Sequence, residues 1–153
     1  MQIYNIKEKQ QYIEEVARLT KIEWAEYKTE EELNKKITNT IKKIKDNLNN
    51  PYYCKLILLD KNNLVGFISI FPTDGEEYQE LTPWYATMYV KKEYRGKGYS
   101  KLLNNAILKE AKKRGFKKIY LKSELKNYYE KFGAKYMKDL KNGEKLYYIN
   151  LED

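Results

Sequence analysis

Val90-Lys91-Lys92-Glu93-Tyr94-Arg95-Gly96-Lys97-Gly98-Tyr99-Ser100 is the stretch on which the reading of this chain turns. Before it, Thr82 to Val90 is rich in aromatic and β-branched residues and reads as a strand. After it, Leu102, Leu103, Ala106, Ile107 and Ala111 recur with helical spacing from Tyr99 to Arg114, with Gly115 as the stop. The segment is therefore strand, glycine turn, helix. Gly96 and Gly98 permit a tight turn and the close approach of an anion, since no Cβ stands in the way. The unpaired N–H groups and positive dipole end of the following helix suit a pyrophosphate, and Arg95, Lys97 and Lys101 add charge. The spacing matches neither the P-loop nor the full dinucleotide glycine pattern. On these residues alone, an anion cradle and a plain glycine turn capping a helix both stand.

Working outward, Ile3 to Ile6 reads as a first strand, and Gln10 to about Tyr27 as a helix with Val16, Leu19, Ile22, Trp24 and Tyr27 on one stripe. Thr29 and Glu32 form a capping box ahead of a helix with Leu33, Ile37, Ile41, Ile44 and Leu48 on one face, stopped at Asn49-Asn50-Pro51. Tyr53–Leu59 and Leu64–Phe71 form a hairpin, followed by a polar loop from Pro72 to Glu80. Beyond the central segment come a strand at Lys117–Lys122, a short helix at Lys126–Phe132 ending at Gly133, and a hairpin of Lys135–Leu140 with Lys145–Leu151 around Asn142-Gly143. The order is βααββ–βαβαββ, an α+β domain with a mixed sheet. With no repeat or linker, residues 1–153 read as a single domain.

Composition removes whole classes of chemistry. The 153 residues contain no histidine and one cysteine, Cys54, which excludes Ser-His-Asp and Cys-His nucleophile systems, histidine metal sites and zinc ribbons. No metal site is expected, and Cys54 reads as a small buried residue. Acid–base work falls to carboxylates, tyrosines, lysines, backbone or water. The formal charge is +8, from 27 lysines and the three arginines Arg18, Arg95 and Arg114. Such a charge suits an anionic partner, and equally a generally basic, soluble surface with no dedicated groove; both readings stand. The scarcity of arginine, the better bidentate phosphate and guanine ligand, argues against nucleic acid. No apolar run reaches the ~18 residues of a membrane span, and no signal peptide is evident, so a cytoplasmic protein is expected.

The segment Val90, Arg95, Gly96, Gly98, Ser100 resembles the V-x-x-x-x-R-G-x-G-x-G/A motif of the GCN5-related N-acetyltransferases (GNAT superfamily), with serine at the last small position. Downstream, Tyr128-Tyr129-Glu130-Lys131-Phe132-Gly133-Ala134 is similar to the family's F-Y-E-K-x-G-F segment, with Ala134 replacing the terminal aromatic. Only Ser123 to Tyr128 stands between strand and tyrosine, too short a stretch to carry the family's earlier asparagine at its usual place. Leu81-Thr82-Pro83-Trp84-Tyr85-Ala86 resembles the T-P-W-L-A segment of one bacterial group.

The resemblance implies the acyl-CoA N-acyltransferase fold and transfer of an acetyl group from acetyl-CoA to a primary amine of a small molecule or peptide. It assigns Met88, Tyr89 and Val90 to the pantetheine and thioester, and Arg95, Gly96, Lys97, Gly98, Tyr99, Ser100 and Lys101 to the phosphates. Tyr129 falls on the tyrosine that serves many members as general acid. With histidine absent, the base is expected among Glu80, Glu76, Glu77 and Asp74, directly or through water. Trp84, Tyr85 and Trp24 are candidates for the acceptor pocket. A monomer or homodimer is expected. Two other readings stay open: a basic nucleic-acid-binding module using Lys112-Lys113-Arg114 and Lys117-Lys118, and a non-catalytic acyl-CoA-binding protein of the same fold.

Overall fold

The computed structural model describes residues 1–75 and 77–152. One mixed sheet of seven strands runs through it in the order β1-β2-β3-β4-β5-β7-β6. The strands are β1 (Gln2–Asn5), β2 (Cys54–Asp60), β3 (Asn63–Phe71), β4 (Trp84–Val90), β5 (Lys118–Ser123), β6 (Ala134–Asp139) and β7 (Lys145–Asn150). Helices α1 (Ile13–Trp24) and α2 (Glu30–Asn47) cover one face, and α3 (Tyr99–Lys113) covers the other. This is the expected α+β architecture with a mixed sheet.

Local chemistry fixes most of the boundaries. Thr29 Oγ1 accepts from the Glu32 N–H at 3.1 Å, while the Glu32 carboxylate accepts from the Lys28 N–H, a capping box shifted by one residue. The helix it opens buries Leu33, Ile37 and Ile44 against Ile57, Leu59 and Phe67 of the sheet. On the opposite face Leu103, Ile107 and Ala111 of α3 pack on Leu58, Val65, Ile68 and Ile70. A buried apolar side chain of this size is worth about 1.5–3 kcal/mol. Gly66 lets α3 come close: an added Cβ would run into the Tyr89 carbonyl oxygen and sit 3.2 Å from Leu103 Cδ1.

Several expectations need correction. The first strand ends at Asn5, because Ile6 turns into a 3₁₀ segment and buries. Helix α1 starts at Ile13 and stops at Trp24, leaving Tyr27 beyond its end, while Ile22 and Trp24 lie off its buried face; all three are exposed rather than part of a core stripe. Leu102 is 43% exposed, one position off the face that meets the sheet. The short helix expected at 126–132 is only a 3₁₀ turn, Tyr129–Phe132, closed by Gly133 at φ +89°. The last hairpin forms as expected, and it folds back so that β7 rather than β6 lies beside β5, an order on which the sequence carried no expectation.

Candidate active site

The site forms where β4 and β5 part. These parallel strands share a single register pair, Trp84 with Tyr120, and beyond it the backbone of Ala86 to Val90 has no ladder on the β5 side. On its other side β4 pairs with β3, but the register shifts between Phe67 and Ser69, and Thr87 takes φ +49°. A non-glycine residue in that region costs free energy and, with the register shift, marks a bulge in β4. The opening is thus built from backbone, beside the start of α3.

Gly98 caps α3 in the left-handed region, at φ +85°, and offers no side-chain acceptor to the first-turn N–H groups. Gly96 lies at φ +78°, and a Cβ at either glycine would meet nothing within 4 Å. The concave face of the turn is therefore open, with uncapped donors pointing into it. Arg95 donates from Nε to the Val90 carbonyl at 2.8 Å, with Cζ 5.7 Å from the centre of the Tyr89 ring. That anchor fixes the guanidinium at the end of β4 and leaves its terminal nitrogens for a ligand. Lys97 and Lys101 are exposed, with Lys97 Nζ 6.0 Å from the Tyr94 ring.

A cavity of about 350 Å³ joins these parts. Met88, Tyr89 and Val90 line it from β4; Arg95, Gly96, Gly98, Tyr99 and Ser100 line it from the turn and α3. Glu23 and Trp24, at the end of α1, close one side, and Tyr128 closes another. Eight of the ten positions expected to hold the cofactor thus meet at one cavity. Glu23 and Tyr128 were not among the candidates, because only the tertiary fold carries them there.

Tyr129 packs against the core beside this wall. Its ring lies 4.8 Å from Tyr128 and 5.6 Å from Tyr85, both edge-on. Burial, reinforced by Tyr128, pushes its phenol up to about 12, so it is protonated at neutral pH. Trp84 is fully buried, with Nε1–H donated to the Leu81 carbonyl at 2.8 Å, and Tyr85 is 5% exposed. Both belong to the core and line neither this cavity nor the one on the α1–α2 side. Glu80 is exposed in the loop before β4, as is Glu77. Burial raises the carboxyl of Asp74, which the Lys122 charge opposes, while Glu76 lies outside the described residues. Cys54 is buried, and burial pushes its thiol up to about 11, so it is unreactive.

The basic cluster at the end of α3 serves packing in part. Arg114 pairs with Glu110 at 3.0 Å and donates to the Pro51 and Tyr53 carbonyls, tying α3 to the start of β2. Lys117 pairs with Glu152, and Lys118 stands over the Tyr148 ring. No group of three or more His, Cys, Asp or Glu that could hold a metal occurs among the described residues, and no described helix is long and apolar enough to cross a membrane.

Solved structures share this architecture over their whole length. An aminoglycoside 6'-N-acetyltransferase complexed with coenzyme A is 18% identical, with a TM-score of 0.74 over 100% of this chain and 98% of that one. YncA, a putative acetyltransferase from Salmonella typhimurium with its cofactor acetyl-CoA, is 16% identical, with a TM-score of 0.71 over 99% and 94%. A spermidine N-acetyltransferase chimera of Vibrio cholerae SpeG and hSSAT is 17% identical, with a TM-score of 0.69 over 99% and 97%. No curated protein matches the chain. The model of the Acetyltransferase (GNAT) family matches residues 13–134, from the first turn of α1 to the start of β6. The chain belongs to this family of acetyltransferases.

Proposed function

We propose that this protein carries the acetyl group of acetyl-CoA to a primary amine, and that residues 1–153 act as one catalytic domain. The observation that carries the reading is the coincidence of two features at one cavity. The β4 backbone is freed past Trp84–Tyr120, and an uncapped helix start lies beside it at Gly96 and Gly98. The first suits an extended amide chain, and the second a pyrophosphate; the same two features fit coenzyme A.

When bound, acetyl-CoA supplies an acetyl group activated as a thioester. The N–H groups at the start of α3 hold the phosphates, with Arg95 locked by Val90 beside them. An N–H of Met88, Tyr89 or Val90 steadies the charge that develops on the acetyl oxygen. Such a donor is worth roughly 3 kcal/mol where one has been removed in other enzymes. Transfer forms a C–N bond to the acceptor, breaks the C–S bond, and moves one proton from nitrogen to sulfur. Tyr129, protonated and half-buried beside the cavity wall, gives that proton; Tyr128, which lines the cavity itself, is the alternative donor. Glu23 lines the cavity and takes the amine proton, whereas Glu80, exposed on the loop, acts only through water. The buried free cysteine and the absence of a described membrane-spanning helix support a cytoplasmic enzyme, and the scarcity of arginine supports an amine acceptor rather than nucleic acid.

The test is thermal unfolding with acetyl-CoA. A ligand at a hundred times its Kd stabilises by about 2.7 kcal/mol. Gly98→Glu, which places a carboxylate in the cradle, should abolish the rise in Tm. No rise for the wild-type protein at millimolar acetyl-CoA would refute the reading.

A further inference from the structure

A second cavity, of about 280 Å³, adjoins the first through Trp24, whose side chain lines both. Its walls come from α1 at Lys21, α2 at Lys43 and Asn47, and the sheet at Lys55 and Thr87. Among the described residues three lysines line it and no carboxylate does. Lys55 is 2% exposed; its Nζ donates to Ser69 Oγ at 2.7 Å and lies between the rings of Phe67 and Phe71, at 5.4 and 5.2 Å. Burial, then the charges of Lys43 and Lys36, lower Lys21. Lys21 in turn adds to the burial that lowers Lys55. Among the described residues none of these three lysines has a carboxylate in an ion pair. Asp74, on the loop after β3, feels the Lys43 charge but more strongly that of Lys122, and it does not line the cavity.

Like charges gathered in a partly desolvated pocket repel one another and are relieved by an anion. They also repel a polycation, so the pocket is ill suited to the acceptors named for the neighbours of this fold, an aminoglycoside and spermidine. Its volume is near the low end of ligand pockets, about 300–1,000 Å³, and suits a small acceptor.

We infer that this cavity binds the acceptor through an anionic group: the substrate is a small primary amine bearing a carboxylate or a phosphate, held between Lys21 and Lys43. Its amine points past Trp24 toward the opening of β4. The inference rests on the acetyl-transfer reading for the reaction, but the anion site is testable without it.

The protein, saturated with CoA to fill the phosphate cradle, is titrated with glucosamine 6-phosphate, glutamate, glucosamine and spermidine while tryptophan fluorescence is followed. Thiol release from acetyl-CoA is then measured with each amine. One or both anionic amines should bind and turn over with KM about tenfold below glucosamine and spermidine. The phosphate and carboxylate arms separate the two anions. Lys21→Glu and Lys43→Glu should each raise that KM about tenfold with kcat changed far less. The glutamine variants, gentler on folding, should shift it in the same direction. Spermidine preferred over both anionic amines overturns the inference, as does an anionic acceptor indifferent to both lysines. Titration of the CoA-free protein, read as the difference between wild type and the Lys21→Glu/Lys43→Glu double variant, reports the pocket by itself. Anion binding there without thiol release from any amine would sink the transfer reading and leave the site; no difference would sink the site.

Discussion

Replacing Lys55 by methionine should stabilise the protein in a pH-dependent way, and the structure sets the size. Methionine keeps the unbranched apolar stem, one heavy atom short of the ammonium, while removing the buried charge. Thr87 Oγ1 still donates to Ser69 Oγ at 2.7 Å, so the neighbouring hydroxyls keep their mutual bond. Burial lowers Lys55 from 10.5 to about 7. At about 1.4 kcal/mol per pH unit, keeping it charged in the fold costs about 5 kcal/mol.

The sign follows from proton counts. Below pH 7 both folded and unfolded chains hold the proton, and the cost is complete. Between pH 7 and 10.5 the unfolded chain holds one proton more than the native one, so wild-type stability rises with pH. Above 10.5 the effect is gone. All other groups are shared by the two proteins and cancel in their difference to first order. Urea unfolding of both at pH 6 and pH 9 should therefore show the advantage of Lys55→Met shrinking by about 2–3 kcal/mol, on top of any constant offset from packing. A difference that stays constant across this range would refute the reasoning, since it would mean that Lys55 does not change its proton on folding.

Three further outcomes follow from the same structure. Tyr129→Phe should lower kcat with little change in acetyl-CoA affinity, and more than Tyr128→Phe does; equal kcat values for Tyr129→Phe and wild type in a thiol-release assay exclude Tyr129 as sole proton donor. Glu23→Gln should depress the alkaline-rising limb of kcat/KM more than Glu80→Gln, read from a pH profile with a fixed acceptor. Gly66→Ala should destabilise by about 1–3 kcal/mol in urea unfolding, because its Cβ meets the Tyr89 carbonyl and pushes on Leu103, and backbone cannot rotate aside.

How far the site was legible depends on range along the chain. Gly96, Gly98 and the Tyr99 helix start are written in adjacent residues, because positive φ and an uncapped helix end are local matters. Arg95 was also legible, though its anchor on Val90 was not. Trp24 was a candidate on resemblance and stands in both cavities, while Trp84 and Tyr85, no less aromatic in sequence, belong to the core. Nothing in an aromatic residue itself tells these apart; the strand register does. The absence of histidine was decisive on its own, and the proposed chemistry runs without it.

By itself, then, the amino-acid sequence determined the order of most elements, the glycine turn at the start of α3 and the Thr29 cap, since each depends on contacts within a few residues, and from that order the α+β class. Only the tertiary structure decided that β4 and β5 meet at one pair, that β7 lies inside β6, and that Glu23 and Tyr128 face the opening. It alone brought Lys21, Lys43 and Lys55 from two helices and a strand to one cavity. Charge density in a pocket is a property of what folding gathers and dries, and 27 lysines spread along a chain do not reveal which three will be brought together.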